Sequence, residues 1–281
     1  SSSSQDRSGT KRVLQPSVPV AKVNLGTFNL GLEQHLLSNT QFQKTLPQLQ
    51  RILAKGFEEA DLHLLNLCSV GAHKQGLDTF HCCSEKRILE GTLVKDEYGS
   101  SITQSHMSIW HETGASQPGG VSLKPVHIGN ANRNAMLFDL KTHIQGVLEP
   151  QMVLTKYAVT TNDIAAEGIL FVGQLDIKPH PRSQTPSHTF MRQVVREALS
   201  LLANFADAEH CSAAAFKEKG HPTSVAVLCG DVNLHPDLAE ACCQSDIMAD
   251  TLVQTQWHTQ ISLEGLSGDV AFVRGCSSKS F

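Results

Sequence analysis

Gly230-Asp231-Val232-Asn233 sets a carboxylate and a side-chain amide close together, directly after the apolar run SVAVLC at 224–229. An ionised carboxylate beside an amide can hold a hard cation, take a proton from water or orient a phosphate. Open α/β sheets build their sites at the carboxyl ends of strands, where this tetrapeptide would fall. The same residues can equally form a turn whose Asp and Asn bond their own backbone. The motif alone leaves both readings standing.

Other polar residues stand at the borders of apolar runs: Asn29 in VNLGTFNL, Ser69 after HLLNLC, Asp176 in FVGQLDIKPHP and Asp269 before VAFV. In that order, along most of the folded chain, these segments resemble the endonuclease/exonuclease/phosphatase (DNase I-like) superfamily. The family opens with a strand ending in a metal-supporting Asn, matched by Phe28-Asn29-Leu30. Its second motif, a strand ending in Glu before Val-Gly, is matched by Leu67-Cys68-Ser69-Val70-Gly71, with Ser69 in the Glu position. FVGQLDIKPHP looks like the family's central strand with Asp176 in place of a His. Gly230 to Asn233 resembles the motif whose Asp and Asn position the attacked phosphate and water. Gly268 to Val273 looks like the strand whose Asp, here Asp269, orients a later catalytic His. That His belongs to a Ser-Asp-His motif, and no such motif appears before Phe281. Arg133-Asn134 in RNAMLF gives a sixth match, and with His180 it supplies candidate phosphate contacts.

The resemblance implies a two-sheet α/β sandwich of mixed sheets flanked by helices. It also implies a domain over 23–281 lacking its last strand, Mg²⁺ or Mn²⁺ as cofactor, and a phosphodiester substrate, nucleic acid among the candidates. The departures weigh on chemistry. A hard dication draws its affinity from ionised carboxylates, and Ser69 offers only a neutral hydroxyl. An ionised Asp176 beside Asp231 repels phosphate unless a raised pKa or a cation neutralises it. Two expectations follow: phosphodiester hydrolysis that is weak or lost, or a non-catalytic binding or scaffold domain on the same fold. A sharper one is a relocated cation site built from Asp176, Asp231 and Asp269 with Asn29 and Asn233; against it stands the view that these residues only form turns and hydrogen bonds.

The elements that must position these residues are partly readable. Val23–Leu30 and Leu62–Leu67 have the apolar content of strands, and Phe42, Leu46, Leu49 and Leu53 recur at helical spacing. Pro47 is expected in a first turn or at a break of that helix. Met136–Leu140, Met152–Val159 and Ile169–Ile177 read as strands. Pro186 and Ser187 start a helix reaching about Ala206, with Phe190, Val194, Ala198, Leu201 and Phe205 as one stripe. A strand at 224–229 follows, so this strand–helix–strand order predicts parallel neighbours with the helix over one sheet face. Between Gly71 and Asn134 only short pieces such as MSIW at 107–110 stand out.

Composition excludes some classes. The chain has 281 residues, 40% hydrophobic and 18% charged, which suits a folded globular protein and not a disordered one. Its net charge of -4 gives no overall attraction to polyanions. Residues 1–22, rich in Ser, Pro and charge, read as a disordered tail. No apolar stretch reaches the roughly 20 residues that span a bilayer, and the expectation is an intracellular protein, cytoplasmic or nuclear, with reduced cysteines. The 8 cysteines lack the spacing of structural zinc sites. Of the 14 histidines no pair has the helical zinc-protease spacing, and Cys229 reads as a packing residue.

Overall fold

The structure, a computed structural model, describes residues 22–29, 39–68, 79–81, 88–93, 107–111, 120–128, 135–140, 150–161, 168–175, 177, 188–214, 223–230, 232, 257–261 and 270–274. They build two sheets and two helices. Sheet A contains β1 (Leu25–Asn29), β2 (Leu64–Cys68), β3 (Thr79–His81), β4 (Ile88–Leu93) and β5 (Met107–His111), in the order β1-β2-β5-β4-β3. Sheet B contains β6 (Val121–Pro125), β7 (Ala135–Asp139), β8 (Gln151–Thr161), β9 (Gly168–Leu175), β10 (Thr223–Cys229), β11 (Trp257–Ile261) and β12 (Val270–Arg274). Its order is β11-β12-β10-β9-β8-β6, with β7 pairing a different stretch of β8. Both sheets are mixed: β1 with β2 and β9 with β10 are parallel, and the remaining pairs are antiparallel. The architecture is the expected two-sheet α/β sandwich.

Side chains alternate across each strand, and the two faces of sheet B go to different partners. Leu170, Val172 and Val227 join Leu64 of sheet A in one apolar cluster, which packs the sheets together. Phe171, Leu175, Ala226 and Leu228 point the other way, into a cluster built on helix α2 (His188–Ala214). With both faces covered, β9 and β10 read in sequence as nearly unbroken apolar runs, which is why they were easy to recognise. Each fully buried Leu, Val or Phe of these layers contributes about 1.5–3 kcal/mol.

Helix α2 runs further than expected, to Ala214, and its deepest residues are Val194, Val195, Ala198, Leu199 and Leu202, all 0% exposed. Leu201 and Phe205 of the predicted stripe pack at its margin. The helix approaches β9 closely because residue 173 is glycine. A Cβ there would stand 3.0 Å from Leu228 Cδ1 and Met152 Sδ and 3.3 Å from Leu202 Cδ2. The parallel pairing of β9 and β10 across this helix is the predicted one.

Helix α1 (Asn39–Glu59) touches β3 and buries Phe42, Leu46, Leu53 and Phe57. Pro47 corrects the expectation for it, because the helix continues through this residue. The proline lies on the exposed side, where water can satisfy the carbonyl that its missing N–H leaves without a donor. The turn into β2 is held by paired bonds: Asn24 N–H donates to His63 Nδ1 at 3.1 Å, and His63 N–H donates to Asn24 O at 2.9 Å. Within the 71–134 region the described residues form β3, β4, β5 and β6, of which only β5 has a sequence-predicted counterpart in MSIW.

Strand β12 is tied to α2 by Arg274. Its guanidinium donates to Ala203 O at 3.2 Å and to both Asp207 carboxylate oxygens at 2.9 and 3.1 Å. The Arg274 side chain is 10% exposed and that of Asp207 is 58% exposed, so the buried partner carries the larger penalty if broken. Asp207→Asn, which leaves the buried guanidinium without its counter-charge, is expected to lower unfolding free energy by about 1–3 kcal/mol, and Arg274→Met, which leaves an exposed carboxylate, by less. Urea denaturation midpoints at unchanged slope check this ordering.

Candidate active site at the strand ends

The register of sheet B gathers three strand ends at one edge. β9 and β10 run parallel from Thr223 opposite Gly168 to Cys229 opposite Gln174, so their carboxyl ends coincide. β12 runs antiparallel to β10 with Leu228 opposite Phe272, which brings its amino end, Val270, to that same edge. In the chain, Asp176 follows Leu175, Asp231 follows Gly230 and Asp269 precedes Val270. The three Asp residues themselves lie outside the described residues.

Their neighbours are firmly held. Asp176 falls between Leu175, 0% exposed, and Ile177, 2% exposed; Asp231 falls between the buried Gly230 and Val232, 0% exposed. Leu175, Ile177 and Val232 all belong to the cluster under α2. Gly230 has φ 128°, a conformation side-chain-bearing residues rarely adopt. A Cβ on it would collide with the carbonyl oxygen of Leu175 and stand 3.0 Å from that residue's N and C atoms. The glycine of Gly-Asp-x-Asn is therefore required by the close approach of the β10 end to the β9 end.

Sheet A adds its own strand ends. Asn29 pairs with Cys68 at the carboxyl ends of β1 and β2. Asn66 Nδ2 donates to Cys229 Sγ across the sandwich at 3.4 Å, which sets the end of β2 over the end of β10. The Asn29 side chain, Ser69, His180 and Asn233 lie outside the described residues. Leu64 and Asn66 face sheet B, so alternation makes Cys68 the inward residue at the end of β2. Cys68 and Cys229 are buried thiols, and neither is in a disulfide.

Arg133 and Asn134 also lie outside the described residues. They precede β7, whose first residue Ala135 stands opposite Thr155, while the edge is marked by Met152 opposite Leu175. The amino end of β7 is thus turned away from the edge, and its carboxyl end carries Asp139, which accepts from Gln151 Nε2 at 2.9 Å. Among the described residues no group of three or more His, Cys, Asp or Glu is disposed to hold a metal ion, and no helix is long and apolar enough to cross a membrane.

Sequence reasoning passed over Asn66 and Gln174 and read Cys229 only as a packing residue. They form a buried polar level between the sheets, just below the edge. The available signal was a polar residue interrupting an apolar strand, as in LLNLC and FVGQL.

The described elements build the expected two-sheet α/β sandwich. The chain is similar in structure to D. rerio TDP2 humanized by 14 mutations, at 11% identity and a TM-score of 0.49, covering 92% of this chain and 84% of that one. It is similar to an endonuclease/exonuclease/phosphatase family protein from Bacteroides thetaiotaomicron, at 12% identity and a TM-score of 0.49, covering 90% and 83% of the two chains. A mannosyl-6-phosphatase from the same bacterium gives 12% identity and a TM-score of 0.47 over 90% and 85%. No family model and no curated protein sequence matches the chain.

Gly230→Ala is expected to destabilise the protein strongly, by about 1–3 kcal/mol from backbone strain and about 1–3 kcal/mol more from the clash with Leu175. A thermal melt checks this, with Gly56→Ala as control, since nothing lies within 4 Å of a Cβ at Gly56.

Proposed function

We propose that this chain is a divergent endonuclease/exonuclease/phosphatase domain that takes a phosphodiester at the strand-end edge and, with Mg²⁺ or Mn²⁺, hydrolyses it weakly. The observation that supports this most is the meeting of the β9, β10 and β12 ends, each joined in sequence to an Asp. The donor set fits a hard dication: Asp176, Asp231 and Asp269 supply ionised oxygens, and Asn29 and Asn233 supply neutral ones. When bound, the cation stabilises charge on the phosphate under attack.

The chain's own residues set the limits of that chemistry. Asp231 and Asn233 orient water and phosphate. Asp176 cannot act as a His would, because an ionised carboxylate repels the substrate and, lacking a proton, has nothing to donate to the leaving oxygen. The end of β2 supplies no carboxylate, whether Cys68 or Ser69 is nearest the cation. The thiol of Cys68 is a soft ligand, poorly suited to Mg²⁺. These two departures favour slow turnover. They also support a second reading, in which the domain binds a phosphate-bearing partner and does not cleave it. Nucleic acid is one such partner; with a net charge of -4, its contacts would have to be local.

Titration calorimetry with Mn²⁺ and Mg²⁺, joined to hydrolysis of bis(p-nitrophenyl) phosphate in Mn²⁺, tests the proposal. The wild type is expected to bind Mn²⁺ and to hydrolyse slowly, with Asp231→Ala cutting the rate about 100-fold or more. Binding heat without hydrolysis above background selects the non-catalytic reading. No heat from either cation ends the cation site.

A further inference from the structure

Among the described residues the layer between the sheets is mainly apolar, with Thr155 of β8 a buried hydroxyl that donates to Val172 O at 3.3 Å. Leu64, Val172 and Val227 pack there as ordinary core residues. Moving toward the carboxyl ends by one inward position on each strand brings Asn66, Gln174 and Cys229, at 0%, 0% and 5% exposure. Gln174 and Cys229 are register partners in β9 and β10, and Asn66 reaches across from β2 to donate to Cys229 Sγ at 3.4 Å. The thiol in turn donates to Gly173 O at 3.6 Å. Burying an amide where a leucine would pack costs free energy unless it is hydrogen-bonded. Such a polar level is an expensive way to hold two sheets together, and it is bridged by a bond that fixes their separation.

The next inward position on β2 is Cys68; in the chain, Asp176 stands two residues past Gln174 and Asp231 two residues past Cys229. We propose that Asn66, Gln174 and Cys229 are positioning residues: their polar level, bridged by the Asn66–Cys229 bond, sets the distance across the edge and so the placement of Leu175 and Ile177 at the β9 end and of Gly230 and Val232 at the β10 end. The apolar clusters carry stability, and this level carries alignment. The link to cation binding rests on the function proposed above; the alignment does not.

Amide hydrogen exchange on the whole chain tests the alignment. Asn66→Leu removes the bridge while keeping the branched outline of the side chain. Exchange at Leu175, Ile177, Gly230 and Val232 is expected to quicken at least about 10-fold, with amides of α2 and of Leu170–Val172 unchanged. As a single variant, Cys229→Ser, which can still accept and donate, should keep exchange slow, and Cys229→Val should quicken it. If Asn66→Leu does not fold, Cys229→Ala removes the acceptor and carries the same comparison. Unchanged exchange at the strand ends, or a uniform rise over the whole domain, overturns the proposal, because a merely structural bond would loosen everything or nothing. Mn²⁺ calorimetry on the same variants separates the two ideas. A wild type silent to Mn²⁺ sinks the cation reading and leaves the exchange result to decide on alignment. A wild type that binds Mn²⁺ should lose about 10-fold in affinity on Asn66→Leu and little on Cys229→Ser.

Discussion

The parallel pairing of β9 with β10 governs the molecule. Parallel neighbours cannot be joined by a tight turn, so the chain must cross over, and α2 is that crossover. Its packing over Gly173 and Leu228 covers one face of the pair, which leaves the other face to meet sheet A. Because the two strands end together, Ile177 and Val232 beyond them enter the same cluster under α2. The antiparallel β12 then adds a third end at the same edge. Gly230 records how tight this meeting is, since its backbone takes a conformation only glycine adopts easily and lies against Leu175.

Stability and alignment come from different parts of the fold. The apolar clusters on the two sides of sheet B bury most of the large side chains and bear the free energy of folding. The few buried polar groups sit where geometry has to be specified. Arg274 binds β12 to α2, His63 binds the entry of β2 to that of β1, and Asn66 binds sheet A to Cys229 of sheet B. A hydrogen bond contributes a modest net free energy, yet leaving its buried partner unsatisfied is costly, so such bonds tolerate few alternative arrangements.

What the sequence revealed follows from this division. The segments β9, α2 and β10 were legible because both faces of each strand are covered, giving apolar runs, and because Pro186 and Ser187 precede the helix. Strands β4 and β6 were not, since ILEGTL and VSLKP mix polar and apolar residues and owe their structure to pairing with β5 and β8. Pro47 misled because the helix buries Phe42, Leu46, Leu53 and Phe57, which outweighs the cost of about 3 kcal/mol for a proline in a helix interior. At the edge, three of the motif residues are joined in sequence to the β9, β10 and β12 ends, which register brings together. The polar level of Asn66, Gln174 and Cys229 went unread, because a single Asn or Gln in an apolar strand does not announce which face it occupies.

The chemistry at the edge is then a matter of which charges gather there. Under the proposed function, the Asp residues joined in sequence to these three ends would give a cation oxygen ligands and would oppose a phosphate whenever the cation is absent, so binding of metal and substrate would be coupled. Paramagnetic broadening of backbone amide signals during a Mn²⁺ titration tests this most directly. The account predicts that the amides of Leu175, Gly230 and Val270, which belong to three different strand ends, broaden together at the same low Mn²⁺ concentration while those of α1 remain sharp. Broadening confined to one of the three, or spread evenly over the protein, would contradict it.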